Sequence, residues 1–442
     1  MGVLKNKLNK FILLVAAVIF LWIAILPLDK ENRLTGSQIK RLTFTGENAV
    51  HFPSLSDDGR WMLYVLEIKE GENSLKAIKV MNIEEGKERE LFRSRKIKAP
   101  APFQNVPLAV GSKPPILSGN GQVAVFSLSL EKPANILDHY LGIINTDGTN
   151  FRIIPFPITD LKGKDLKSLD FLSGEWERIS NYALSSDGTK VACVLKGHLG
   201  PRRYGHPSGI AFLDALSGKQ KTILTPDFDG KQWIWSTTPR RPLTGGGWAF
   251  CMSGNGQKIV FGAQSSEDPT DYDLFMVDWD GKEMRKLTDF HDRWFSLADI
   301  SHDSEKVVFF YNGRKKQGIG TYAVNSDGSG LEYLESKTAS QVELYDLSGN
   351  GRYVLFKHVY KGMIWDLFDG QEILAFDEHT PGYASNLIPM DFPQIPAFWG
   401  PNIVNFKGDK ILLFGHPQGK TTPEIYILTI DLGKSNGYVG RK

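Results

Sequence analysis

The stretch FPSLSDDGRWMLYVL, residues 52–66, decides the fold, because it recurs along the chain. PPILSGNGQVAVFSL starts at Pro114, NYALSSDGTKVACVL at Asn181 and AFCMSGNGQKIVFGA at Ala249. LADISHDSEKVVFFY starts at Leu297 and LYDLSGNGRYVLFKH at Leu344. A degenerate seventh copy, NIVNFKGDKILLFGH, starts at Asn402. In each full copy an apolar residue precedes Ser, and an Asp or Asn follows before a β-rich run. The Ser hydroxyl can bond the turn backbone, and Asp-Gly or Asn-Gly supplies the positive φ of a tight hairpin. Those glycines are Gly59, Gly121, Gly188, Gly256 and Gly351. Ser304 stands at the same place in the fifth copy, so a longer or strained turn is expected there.

A second hairpin follows each first one, as in KAIKVMNIEEGKERELF from Lys76 and DLFMVDWDGKEMRKLT from Asp273. Each unit therefore holds four strands, a to d, and four-stranded units in series describe propeller blades. The expected fold is all-β: a seven-bladed β-propeller, in preference to six or eight blades. The last unit ends in EIYILTIDLGK from Glu424 and lacks an outer strand. SQIKRLTFTG, residues 37–46, is a spare strand at the other end, so the N-terminal strand should close the last blade and remove the exposed edges. The resulting layout is a membrane segment at 1–30, a linker at 31–37, the propeller at 38–434 and a tail at 435–442.

RLTFTGENAVHFPSLSDDGRWMLYVL, from Arg41 to Leu66, resembles the TolB-type (WD40-like) propeller repeat. RKLTDFHDRWFSLADISHDSEKVVFF, from Arg285 to Phe310, repeats the pattern. The turn proline of that family is replaced by Asp57, Gly119, Ser186, Gly254 and His302. The resemblance implies a propeller; one such architecture hosts many activities, so it does not fix function.

Lys5, Lys7 and Lys10 precede the uncharged run FILLVAAVIFLWIAILPL, residues 11–28. That length is at the lower edge of what spans a bilayer. Basic residues before the run predict a cytoplasmic N-terminus and an exported body. No small-x-small cleavage site is evident, which favours a single transmembrane helix acting as signal-anchor over a cleaved signal peptide and secretion. No Asn-x-Ser/Thr sequon occurs, in keeping with a bacterial cytoplasmic membrane protein whose propeller faces the periplasm or exterior. The formal charge of +2 gives no footprint for nucleic acid. Two cysteines, Cys193 and Cys251, rule out a disulfide framework; both lie in apolar runs and are read as free buried thiols, one bridge being the alternative.

The matching turn positions stand farther apart in the first three units than in the next two. The surplus falls in the d–a links 95–113, 157–178 and 226–247, in a late link 377–401, and in a b–c insert 196–208. In a propeller these connections emerge on one face, where binding residues concentrate. Candidate binding residues there are Arg202, Arg203, Tyr204, His206, Trp233, Trp235, Arg240, Arg241, Trp248 and Trp399. Aromatic and Arg side chains dominate hot spots, and Arg forks suit carboxylates or phosphates. The expected function is a monomeric binding scaffold for a protein partner or anionic glycan of the cell envelope.

Catalytic residues are not expected. There is no Gly-x-Ser-x-Gly elbow, against a hydrolase. The nine histidines form no local ligand motif, so no metal or cofactor is assigned. Asp271-Tyr-Asp273 and Asp278-Trp-Asp280 lack the closing Glu of a calcium loop. Ligands on different blades need no fixed spacing, which leaves one rival: a metal-dependent polysaccharide lyase of the oligogalacturonate type, working at the same mouth.

Overall fold

The computed structural model describes residues 38–430 apart from 72, 95–107, 112, 131–137, 156–177, 197–207, 229–232, 237–248, 266–271, 293–294, 312, 314–317, 335–342, 359–360, 377–386, 389–402 and 416–421. The membrane segment, the linker and the C-terminal tail read from the sequence lie outside the described residues. Among the described residues no helix is long and apolar enough to cross a membrane.

Seven antiparallel sheets follow one another along the chain, one per repeat, and make the seven blades of a β-propeller. Blade 4 shows the pattern: a, Phe250–Met252; b, Lys258–Gln264; c, Tyr272–Asp278; d, Arg285–Lys286. Because strand direction alternates, a–b and c–d turns share one face, and b–c and d–a connections share the other.

The repeated serine organises each a–b turn. In blade 4 the Ser253 hydroxyl accepts from the Lys258 N–H at 3.0 Å and donates to Asn255 Oδ1 at 2.8 Å. Asn255 Oδ1 in turn accepts the Gln257 N–H at 2.9 Å. The same contacts centre on Ser56, Ser118, Ser185, Ser301 and Ser348. In the degenerate copy Asn405 takes over, its Oδ1 accepting the Lys410 N–H at 3.0 Å. Ser304 has φ of 71°, a left-handed conformation that costs a residue with a Cβ free energy, so the fifth turn is the strained one. Its hydroxyl bonds Asn255 of blade 4 at 3.0 Å.

The ring closes as the spare strand required. Gln38–Arg41 pairs with Glu424–Thr429, from Gln38↔Thr429 to Arg41↔Tyr426, as the outer strand of blade 7. The core is a series of wedges between neighbouring blades rather than one central mass. Blades 1 and 2 meet through Leu63, Val65, Phe92, Leu117 and Phe126, and blades 4 and 5 through Val260, Leu274, Phe295 and Phe309. Ile39 of the closing strand, Leu55 and Tyr64 of blade 1, Leu413 and Ile427 of blade 7 and Leu355 of blade 6 share one cluster.

Three of the expected links are partly strand. Residues 226–247 are not one connection: Gln220–Phe228 runs on as strand d of blade 3, and Trp233–Ser236 folds back on it as a fifth, outermost strand. Such a strand covers an edge whose N–H and C=O groups need partners. In blade 2, strand a is split into Leu108–Val110 and Ile116–Leu117, both on Val123–Leu130. In blade 7, Leu387–Ile388 pairs with Phe414 and Gly415, while Val404 bridges Ile411. The surplus residues there interrupt the inner strand instead of preceding it.

If Gln38–Arg41 closes the ring, Ile39→Asp buries an unpaired charge in the blade 7 wedge and should lower unfolding free energy by about 3 kcal/mol in urea melts. The surface substitution Lys40→Glu on the same strand should change it by less than about 0.5 kcal/mol.

Candidate functional site

The residue after each turn serine lies nearest the propeller axis. Round the ring these are Asp57, Gly119, Ser186, Gly254, His302, Gly349 and Phe406. The glycines make room for the others. A Cβ at Gly119 would collide with Asp57 and Ser186, one at Gly254 with Ser186 and His302, and one at Gly349 with Phe406. His302 Nδ1 stands 3.9 Å from Asp57 Oδ2, joining blades 5 and 1, which are not neighbours. His302 also packs edge-on to Phe406, with ring centroids 5.6 Å apart. Contacts across the axis mean that side chains fill this end of the channel. Burial pushes the Asp57 carboxyl above the ordinary carboxylate range, opposed by a hydrogen bond to Ser186 and by the His302 charge.

Two positions before each turn serine, the innermost strand carries Ser54, Ile116, Ala183, Cys251, Asp299 and Asp346; Ile403 is the blade 7 equivalent. The polar ones reach the next blade. Ser54 Oγ accepts the Leu117 N–H at 3.2 Å, and Asp299 Oδ2 accepts the Leu347 N–H at 3.0 Å. Asp346 Oδ2 accepts the Ile403 and Val404 N–H groups at 2.6 and 2.8 Å, holding the broken inner strand of blade 7. Asp299 and Asp346 also hydrogen-bond each other. Burial raises the carboxyl of Asp346 well above its ordinary value, and the Asp299 charge beside it adds to this. Like charges this close do not both ionise, so the pair shares a proton. Such a pair can give or take a proton at the channel wall. Neighbouring Cys251 is a free thiol, pushed up by burial and then by Asp299. Cys193 is free and fully buried, so the reading of two unbridged thiols holds.

The opposite face carries a third group, between blades 4 and 5. Asp273 opens strand c of blade 4, while Asp289 and His291 lie on the link into blade 5. Their ligand atoms all lie within 4.8 Å of one another. Asp273 Oδ1 accepts from Thr288 Oγ1 at 3.0 Å and from the Phe290 N–H at 2.7 Å, folding the link back on the strand. Lys286 pairs with Asp289 and stands 3.8 Å from Asp273 Oδ2. The Lys286 hydrogen bond holds the Asp289 carboxyl below its usual range.

Arg202, Arg203, Tyr204, His206, Arg240, Arg241, Trp248 and Trp399 lie outside the described residues. Trp233 and Trp235 sit on the added outermost strand of blade 3 and not on a bare loop, which corrects the expected placement. That strand pairs with strand d, at the end of the sheet away from the innermost strand. The Asp299–Asp346 pair and the Asp273 group were not singled out as sites from sequence. The first joins residues of different blades; its signal is that both Asp stand two residues before the turn serine of consecutive copies. The second had a partial signal in the departure of RKLTDFH from RLTFTGE: an Asp stands one residue and a His three residues after the shared Thr.

The sequence matches no protein-family model, and no curated protein matches it. Solved structures do. An oligogalacturonate lyase in complex with manganese is 12% identical, with TM-score 0.55 over 91% of this chain and 96% of that one. The oligogalacturonate lyase of Vibrio parahaemolyticus is 11% identical, with TM-score 0.53 over 89% and 94%. The β-propeller domain of the Trilobed protease from Pyrococcus furiosus, described as having an open velcro topology, is 14% identical, with TM-score 0.52 over 90% and 100%. TolB proteins are among the similar structures too, at TM-scores of 0.40 and 0.38. At these identities the likeness is one of fold: a β-propeller, here of seven blades.

The Asp346 carboxyl has a raised folded value, so its contribution to stability is present below an ordinary carboxylate value near 3.8 and is lost as pH rises through the raised one. Asp346→Asn mimics the protonated form, and its urea-melt stability should fall less than wild type between mildly acid and mildly alkaline pH. Asp346→Ala leaves the Ile403 and Val404 N–H groups without their acceptor and should cost about 1–3 kcal/mol at acid pH, the cost shrinking as pH rises.

Proposed function

We propose that this chain is a membrane-tethered, extracytoplasmic binding scaffold that holds a protein partner or an anionic glycan across the face bearing its b–c and d–a connections. The single observation that carries the reading is the asymmetry of the channel. Asp57, Ser186, His302 and Phe406 meet at one end, so a ligand on the axis enters from the other. That other face is where strand topology roots the long connections 156–177, 197–207 and 237–248. The arginine pairs Arg202-Arg203 and Arg240-Arg241 belong to these connections and suit carboxylate or phosphate groups. The uncharged run 11–28 supplies the tether.

A second reading, a metal-dependent polysaccharide lyase, draws support from the Asp273–Asp289–His291 group on the same face. In that case the proton-sharing Asp299–Asp346 pair offers acid–base chemistry deeper in the channel.

The test is binding to a panel of envelope proteins and uronic-acid oligosaccharides, with wild type set beside Arg202→Ala/Arg203→Ala and Arg240→Ala/Arg241→Ala. Loss of a charge-assisted fork should weaken binding by roughly tenfold or more. Unchanged binding in both variants counts against these arginines. Appearance of unsaturated sugar ends on incubation with a divalent metal would favour the lyase.

A further inference from the structure

The blade 4 group has an internal control in blade 7. There the carboxylate of Glu424 opens strand c and is fully engaged. It accepts from Arg41 Nη2 at 2.7 Å, Thr43 Oγ1 at 2.5 Å and the Thr45 N–H at 3.0 Å. Thr43 Oγ1 also accepts the Ile425 N–H at 2.9 Å. Blade 4 repeats this scaffold residue for residue. Asp273 stands for Glu424, Thr288 for Thr43, Lys286 for Arg41, and Thr288 Oγ1 accepts the Leu274 N–H at 3.0 Å. The difference lies in the outer oxygen. Asp is one methylene shorter than Glu, and Lys286 turns towards Asp289. Asp273 Oδ2 is thus fully buried with no hydrogen-bond partner. A buried carboxylate oxygen without a donor is costly and is satisfied in the sister blade. What surrounds it is a set of further ligands: His291 Nδ1 at 3.8 Å, with His291 Nε2 3.0 Å from Asp289 Oδ1.

We propose that Asp273, Asp289 and His291 form a binding site for one first-row divalent cation, Zn²⁺ or Mn²⁺, at the rim between blades 4 and 5. Two carboxylates and one imidazole make a mixed oxygen and nitrogen donor set, which suits these ions better than Ca²⁺. Three protein ligands leave at least one coordination position for water or a ligand group. Lys286 is the competitor: its ammonium pairs with Asp289, stands 3.8 Å from Asp273 Oδ2, and is half-exposed, so it can swing into solvent when the ion arrives. The site stands whether or not the scaffold reading does.

The experiment is isothermal titration of the full-length chain in detergent with Zn²⁺ and, separately, with Mn²⁺. One ion per chain is expected for at least one of the two metals. Asp273→Asn keeps an acceptor for Thr288 and Phe290 and should weaken binding at least about tenfold. His291→Gln, at a half-exposed position that leaves the fold intact, should do the same. Lys286→Met removes the competing cation and should tighten binding severalfold. An arrangement that is only an ion-pair cluster moves the other way, since Lys286→Met then lowers thermal stability and no variant binds metal. Absence of binding to both metals in wild type, equal binding in His291→Gln, or no gain in Lys286→Met each overturns the proposal.

Discussion

The structure depends on a closed circle of backbone hydrogen bonds around the axis. Asp57 N–H donates to Gly119 O, Asn120 to Ser186, Ser186 to Gly254, and Asn255 to His302. His302 then donates to Gly349, Asn350 to Phe406, and Phe406 back to Asp57, all at 2.8–2.9 Å. Seven turns joined head to tail impose a seven-fold ring, and each must present one carbonyl and one N–H at the same height. That demand explains why the turns are built alike. The serine fixes the turn from inside, the Asp or Asn fixes its second half, and the glycine takes the left-handed residue. It also explains the residues at the axis. With the backbones drawn this close, large side chains at every position would collide, so Gly119, Gly254 and Gly349 separate Asp57, Ser186, His302 and Phe406.

Closure at the rim follows from closure at the axis. Blades 7 and 1 meet at the bond from Phe406 to Asp57, and Gln38–Arg41 completes the sheet that the C-terminal strand leaves unfinished. Arg41 and Thr43 then bind Glu424, fixing the borrowed strand by side chains as well as by its ladder. The same carboxylate–threonine device in blade 4 is incomplete, and there the structure exposes chemistry in place of a finished support.

The repeat made the blades, their count, the closing strand and the strained turn at Ser304 legible, because each is a local pattern repeated at intervals. Even the turn of the weak seventh copy is built like the rest, since the Asn405 amide reproduces the serine's acceptor. What the pattern hid were breaks within strands. Blade 2 splits its inner strand between Val110 and Ile116, and Pro226, where the d–a link was expected to begin, sits inside a strand. Of the binding residues, only Trp233 and Trp235 fall on described backbone, on the outermost strand of blade 3. Asp299 and Asp346 come together only when blades 5 and 6 pack side by side.

The seven turns form one unbroken circle. Native-state hydrogen exchange of the amides of Asp57, Asn120, Ser186, Asn255, His302, Asn350 and Phe406 addresses it directly. A closed circle predicts that all seven exchange only through global unfolding, with the same protection and the same dependence on denaturant. Markedly faster exchange at Phe406 and Asp57 than at the other five would mean an open ring between blades 7 and 1, and would contradict the account.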